Sequence, residues 1–393
     1  MAKVKDIAMQ IRGVSYHPED LHDNLDEDSV VLLRANNIKD GKLILDDVVY
    51  VSKSKVAEQQ YLQTGDILIC ASSGSKELVG KAAFVDLVKN PMTFGAFCKV
   101  VRPQPEYSEY LGHYFNSPVY RRKISALSAG ANINNIKNEH IDNLDIQLVD
   151  EKERREIITI LNELNMLISL RKQQLFKLDE LVKARFVEMF GDVLLNSMQW
   201  PEKTLENMAD IVSGITKGRK TAEADLQEVP YMAVSNVKDG YIDWTTVKTI
   251  LATRQEIEQY RLMPDDILMT EGGDPDKVGR GAIIKVPLKN SIHQNHIFRV
   301  RLDEQEILPS FFAEYLRHQK AKRYFLGCAK QTTGIASINM RQLRALPTLV
   351  PPLSLQKQFA AFVERVDRQK QTIQQSFEKL ELMKKALMQE YFG

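Results

Sequence analysis

Cysteine is scarce in this chain. Cys70, Cys98 and Cys328 are odd in number and scattered along 393 residues. No Cys-x-x-Cys pair occurs, nothing has zinc-ligand spacing, and a reducing compartment suits such usage. Long apolar runs are missing too. No stretch approaches the ~18 uninterrupted apolar residues of a membrane helix. The opening "MAKVKDIAMQIRG" lacks the apolar core of a signal peptide, so a cytoplasmic location without membrane contact is expected. Charge of one sign is also lacking: 53 basic residues against 52 acidic leave a net of +1. Bulk charge therefore attracts no polyanion, and contact with nucleic acid would have to come from locally concentrated cations.

Enzyme signatures are absent as well. "GSKELVGKA" (74–82) misses a P-loop: five residues separate Gly74 from Gly80 instead of four, and Ala82 stands where magnesium needs a hydroxyl. There is no Asn-Pro-Pro-aromatic tetrapeptide of an amino-methyltransferase and no Gly-rich cofactor loop. Pro264-Asp265 opens a nuclease pattern that no Glu-x-Lys completes. Glu271, Asp274 and Asp276 offer metal ligands, but a solvated loop explains them more simply. The seven histidines form no His-Glu-x-x-His, and His293 with His296 reads as structural. No catalytic residue and no metal site is expected.

What is present is a repeat. "NNIKDG" (36–41) returns as "SNVKDG" (235–240), and five further stretches follow suit in the same order. "VKDIAMQIRGV" (4–14) resembles "LENMADIVSGI" (205–215), with Gly13 matching Gly214. "TGDILIC" (64–70) resembles "PDDILMT" (264–270), and "GKAAFV" (80–85) resembles "GRGAII" (279–284). "GANINNI" (130–136) pairs with "GIASINM" (334–340), and "FVEMFG" (186–191) with "MQEYFG" (388–393). Six collinear matches at offsets of 199 to 204 mean a duplicated module. The period is too long for a solenoid, whose units span about 20–50 residues.

Each copy begins as a mixed α/β (α+β) region. Asp40-Gly41 and Asp239-Gly240 lie between apolar runs, the mark of a two-residue hairpin turn with positive φ at both central residues. "DILIC" and "DILMT" read as short buried strands. Each is followed by a Gly-rich loop, "ASSGSKELVGK" (71–81) or "EGGDPDKVGR" (271–280), then another strand, then a helix near 107–127 or 309–326. Each copy ends in a long helix. The first carries an apolar stripe from Ile157 through Met189, interrupted by Arg171 and Arg185. The second runs from Phe359 through Tyr391, interrupted by Lys370 and Lys384. Such heptads imply coiled-coil packing. Asp150 with Glu153 forms a capping pattern, Ser354 follows Pro351-Pro352, and Gly191 and Gly393 stand at C-cap positions. About 36 residues at ~1.5 Å each make a rod of ~54 Å. An antiparallel pair would place one globular region at each end, and a register in which Arg171 faces Lys384 and Arg185 faces Lys370 would stack the polar breaks. The boundaries read as 1–149, 150–191, 192–350 and 351–393, with the second and fourth segments as helices.

Cations and hydroxyls cluster at matching places. Ser73, Ser75, Lys76 and Lys81 decorate the first Gly-rich loop; Lys277 and Arg280 decorate the second. Arg121 and Arg122 in one copy and Lys322 in the other stand on the helix that follows. Lys217, Arg219 and Lys220 make the basic loop "TKGRK", Lys330 and Gln331 precede Gly334, and Arg34 precedes the first hairpin. Each alone is most simply a solvated charge, but their repeated placement suits contact with phosphates and base edges. The hexapeptide itself reads as scaffold, Asn36 and Asn236 included.

These features resemble the DNA-specificity subunit of type I restriction-modification systems. "LVPPLSLQKQFAAFVERVD" (349–367) looks like that family's Pro-Pro-Leu-Ser-x-Gln-Lys helix start, and the layout of domain, long helix, domain, long helix is similar throughout. The first copy departs from it, since "LVDEKERREII" lacks the prolines and the Gln-Lys. The resemblance implies a chain without catalysis of its own. Its two target recognition domains would each read half of a split, asymmetric site in double-stranded DNA. Its helices would set the gap and dock two methyltransferase subunits, with motor-nuclease subunits joining them. S-adenosylmethionine, ATP and Mg would belong to those partners, and this chain would hold no cofactor. The competing readings are a coiled-coil adaptor that never touches DNA, and a stand-alone methyltransferase or nuclease with paired recognition domains.

Overall fold

The structure is a computed structural model that describes residues 1–75, 77–127, 134–219, 225–332 and 334–393. Two compact units divide the chain: Met1–Gln173 with Gln374–Gly393, and Gln174–Ile373. Both long helices, Glu151–Phe190 and Leu353–Phe392, are shared between the units and so are not separate domains.

The first unit is built on a four-stranded antiparallel sheet in the order Ala82–Phe84, Ile67–Cys70, Cys98–Pro103, Ala8–Arg12. The strand from "DILIC" is buried at every position, and its period of two explains why. Ile67 and Ile69 face a helical layer with Tyr110, Tyr114 and Tyr120, while Leu68 and Cys70 face a second layer with Leu33, Ile38 and Phe94. The second layer is itself a sheet, in which Met92–Phe94 runs parallel to Ser29–Leu33. The second unit repeats the plan. Its central sheet runs Gly281–Ile283, Ile267–Thr270, Ile297–Leu302, Ala209–Ser213. Ile267 and Met269 face Phe311, Phe312 and Tyr315, and Leu268 faces Met232 and Val237.

The matched residues have matched duties. A Cβ on Gly13 would lie 2.2 Å from the carbonyl oxygen of Gly95, and one on Gly214 would lie 2.0 Å from that of His293. Only glycine permits the two backbones to approach so closely. Buried Asp66 accepts from Arg102 Nε and Nη2, both at 2.8 Å, and buried Asp266 accepts from Arg301 Nε and Nη2 at 2.7 and 2.8 Å. In the repeated hexapeptide, Asn37 Oδ1 accepts the Arg34 N–H at 2.8 Å and Asn236 Oδ1 the Ala233 N–H at 2.9 Å. Both asparagines are buried, so these two residues are scaffold. The turns themselves differ. Asp40 (φ 50°) and Gly41 (φ 79°) close a two-stranded ladder, whereas the second turn has Gly240 at φ 83° and the single bridge Val237–Ile242.

Three expectations need correcting. The helix read near 107–127 is two, Ser108–Phe115 and Pro118–Leu127, because the residue before a proline avoids the helical region. Its counterpart also breaks, at His318 (φ −88°, ψ 162°), into Pro309–Arg317 and Gln319–Cys328. The match of 130–136 with 334–340 is out by two. Ile136 N–H bonds Ala71 O and Ile338 N–H bonds Glu271 O, both at 2.8 Å, so Ile136 corresponds to Ile338. Residues 130–133 lie outside the described residues.

The third correction is the helix register. The antiparallel pairing holds within each unit: Ile157 and Leu161 pack with Met388 and Phe392 in the first, and Phe186 and Phe190 with Phe359 in the second. However, Arg171 donates to Ser376 Oγ at 3.2 Å rather than facing Lys384, and Lys370 meets Asp179 at 2.5 Å rather than Arg185. The displacement is about one heptad. It gives half-buried Arg171 and Lys370 an acceptor in place of a like charge, which the lower dielectric of the seam favours.

The helix starts explain the first copy's departure from the family motif. Gln356 is wholly buried. It accepts the Leu308 N–H at 2.8 Å and donates to Pro351 O at 2.7 Å and Glu306 O at 3.2 Å. Arg154 stands at this point of the first unit, 4.5 Å over the Tyr107 ring, and Glu153 N–H is capped by Asp150 Oδ1 at 2.8 Å. At the far end Gly191 takes φ 74°, closing the central helix.

Candidate nucleic-acid interface

In each unit most of the described candidate residues lie toward one end of the central sheet. In the second, Thr270 closes its strand and the chain enters the Gly-rich loop. Gly272 and Gly273 pair with Ser337 and Ala336, and that strand pairs in turn with Lys330–Thr332. The loop returns through a turn at Pro275–Lys277, and Thr270 N–H bonds Arg280 O at 3.1 Å. Gly279 takes φ 70°, and a Cβ there would lie 2.2 Å from Phe325 Cδ2. The loop is thereby pressed onto the Gln319–Cys328 helix. Lys277, Arg280 and Lys322 then line one cavity of about 230 Å³ with Asp239 and Leu316. Three cations around a single carboxylate make a place for an anion. Lys277 pairs with Asp274 and so holds that carboxyl below its usual range; Asp239 lies 3.8 Å from Lys322 Nζ and 3.9 Å from Arg317 Nε. Lys330 is exposed at the start of its strand; the side chain of Gln331 lies outside the described residues.

The first unit places its residues on the same frame but uses them differently. Ser72 and Ser73 pair with Asn135 and Asn134, and Ser73 Oγ accepts the Ser75 N–H at 3.1 Å. Ser75 is exposed, Lys81 partly so, and Lys76 lies outside the described residues. Gly80 takes φ 80° and packs on Ile124. Arg121 donates to Val79 O at 2.7 Å and to Glu77 O at 3.2 Å, so it clamps the loop. Arg122 donates to Gln389 of the C-terminal helix, away from the sheet end. These two arginines have structural duties that their charge alone did not announce.

Further candidates flank the same end. Gly95 N–H bonds Leu33 O at 2.9 Å, which brings Arg34 beside the 95–98 turn, where its Nη2 lies 3.1 Å from Asp47 Oδ1. Ile215 N–H bonds His293 O at 2.9 Å and delivers the basic loop to the equivalent place. There Lys217 is exposed. Arg219 is held by Glu256, which raises the guanidinium's pKa and lowers the carboxyl's. Lys220 lies outside the described residues. Asp239 was missed as part of this site: in the sequence it belongs to a hairpin turn, and only folding brings it to Lys322.

His293 is structural and His296 is paired. His293 is wholly buried, and burial pushes it down to about 4; its Nε2 lies 3.3 Å from Val212 O. His296 Nδ1 lies 2.6 Å from Glu271 Oε2. The side chain of Asp276 lies outside the described residues. No cluster of metal-ligating side chains and no helix long and apolar enough to cross a membrane occurs among the described residues. The first unit also has a cleft of about 790 Å³ beside the long helices. Lys42, Lys172 and Lys384 mix there with Asp40, Glu109 and Glu381, a lining that favours neither sign.

Comparison with known proteins agrees with this geometry. The family model described as "Type I restriction modification DNA specificity domain" matches residues 14–180 and again 198–382. The chain is 30% identical over 387 residues to the EcoKI specificity subunit of Escherichia coli K12, covering 95% of this chain and 83% of that one. It is 32% identical over 390 residues to the StySPI specificity subunit of Salmonella potsdam, with the same shares. The fold matches the S subunit from M. genitalium with a TM-score of 0.55 at 15% identity, over 100% of this chain and 95% of that one. It also matches a chain from a structure of type I complex assembly and conformational transition, with a TM-score of 0.54 at 16% identity, over 100% and 96%. A duplicated α/β reader with cations gathered at one sheet end, and a family model that matches it twice, place this protein in the type I restriction-modification DNA specificity family.

Proposed function

We propose that the two units read the two halves of one split, asymmetric duplex site, that the paired helices fix the number of base pairs between them, and that methyltransferase subunits dock on those helices. Motor-nuclease subunits join that assembly in the cytoplasm. The chain catalyses no step: S-adenosylmethionine, ATP and Mg are bound by its partners. The observation that carries this reading is the doubling of one frame with different side chains. The same Gly-rich loop on the same helix presents Lys81 and clamped Arg121 in one unit, and Arg280 and Lys322 in the other. Identical frames place the duplex alike, and unlike side chains select unlike bases.

The test is methylome sequencing of cells carrying this chain with its methyltransferase partner. One motif of two defined parts separated by an undefined gap is expected. A continuous motif overturns the two-reader arrangement, and methyl transfer by the purified chain alone overturns the absence of catalysis.

A further inference from the structure

One position pair in each unit stands apart from the cations at the same sheet end. Phe97 is the most exposed aromatic ring among the described residues, at 72%. Its backbone is nonetheless tightly held. The Phe97 carbonyl accepts the N–H groups of Ala71 and Ser72 at 2.8 and 3.1 Å, and Cys98 N–H closes the turn on Gly95 O at 2.8 Å. A rigid mount thus holds an apolar ring in water, directly beside the first residues of the Gly-rich loop.

The second unit builds the same mount. Glu271 N–H bonds His296 O at 3.0 Å, and Ile297 N–H closes the turn on Gln294 O at 2.9 Å. Strand pairing fixes the correspondence: Cys98 opposes Cys70 as Ile297 opposes Thr270, so Phe97 corresponds to His296 and Ala71 to Glu271. Where the first unit has methyl and phenyl, the second has a carboxylate and an imidazole joined at 2.6 Å. Both positions have changed together, and both pairs sit at the sheet end that carries the candidate cations.

Resting on the reading of the two units as DNA readers, we infer that Phe97 in the first unit, beside buried Ala71, and Glu271 with His296 in the second are the specificity determinants for one base position in each half-site. An exposed phenyl ring on a fixed turn has no polar group to offer and matches the C5 methyl of thymine. Glu271 spends one oxygen on His296 and has a second to accept from an exocyclic amino group, that of cytosine or adenine. The first unit therefore reads one position by apolar contact, and the second reads its equivalent by hydrogen bonding.

The experiment uses the chain assembled with its methyltransferase subunits and a duplex library randomised across both half-sites, with bound sequences counted. F97A is expected to lose about 5-fold or more of the preference for thymine at one position of one half-site, within the range of a single base contact, and to leave the other half-site unchanged. F97L keeps an apolar tip and is expected to retain most of that preference. The double variant E271A/H296F is expected to shift one position of the other half-site from an amino-bearing base toward thymine. Unchanged preferences, or affinity lost evenly over all sequences, overturn the inference; melting curves of the free variants distinguish an even loss from unfolding. A wild-type complex without a two-part preference overturns the two-reader reading itself, and this inference with it.

Discussion

Replacing Lys277 and Arg280 together with Ala tests the cationic cavity most directly. Each phosphate neutralised by a protein cation contributes about 0.9 to the slope of log affinity against log salt on duplex DNA. Arg280 lines the cavity alongside Lys322, whereas Lys277 is shared with Asp274. Its release to a phosphate would leave that carboxylate behind, so Lys277 counts for less than a full contact. The slope should therefore shrink by about 0.9 to 1.8. Between 50 and 200 mM salt, this means that the wild-type advantage falls by about 3- to 12-fold. The measurement is fluorescence anisotropy of a labelled duplex titrated with the assembled complex at several salt concentrations. Sequence preference should change mainly in one half-site. An affinity loss with an unchanged slope would refute the phosphate role, and equal change in both half-sites would refute the assignment of this cavity to one reader. Asp239→Asn removes the cavity's own carboxylate and should act in the opposite direction, strengthening binding at low salt.

Other consequences concern the frame. Gln356→Leu strands the Leu308 N–H and two carbonyls in a buried place and should cost about 3 kcal/mol or more, read by urea denaturation; a loss below about 1 kcal/mol would mean that the helix start rearranges freely. His113 and His293 are each pushed by burial from 6.5 down to about 4. The unfolded chain takes up protons at these sites first as pH falls, so their contribution is present above pH 6.5 and lost progressively toward pH 4. The loss is about 3 kcal/mol for each, and His113→Asn should flatten that part of the stability–pH profile. Seven residues inserted at facing points of both long helices add about 10.5 Å, so the gap between half-sites should lengthen by about 3 base pairs; an unchanged gap in the methylome would dispose of the helices as a ruler.

Much of this architecture is written locally. Gly13 and Gly214, the Asp-Gly turns and the "DILIC" and "DILMT" strands announce themselves because close backbone approach, positive φ and full burial each restrict the residue types allowed. The scaffold role of Asn37 and Asn236 was legible for the same reason: an asparagine before a turn has few partners other than nearby backbone. The site was less legible. Arg121, Arg122 and Arg219 are long cations, and their charge fits DNA as well as it fits the carbonyls and side chains they actually hold. Phe97 carries no signal in the sequence, because a phenylalanine held in water has the same letter as one in the core.

The chain's letters alone established that a module had been doubled, that each copy mixes strands with a Gly-rich loop, and that each ends in a long amphipathic helix. These are matters of period and of residue type, which neighbours in sequence decide. Only the tertiary structure decided the phase of the helix pair, the match of Ile136 to Ile338, the opposition of Cys70 and Cys98 across two strands, and the gathering of Asp239 with Lys277, Arg280 and Lys322. A repeating pattern tells which face of an element is apolar but leaves open how far that element slides along its partner. The sliding is settled by contacts between residues distant in sequence, and those contacts form only when the chain has folded.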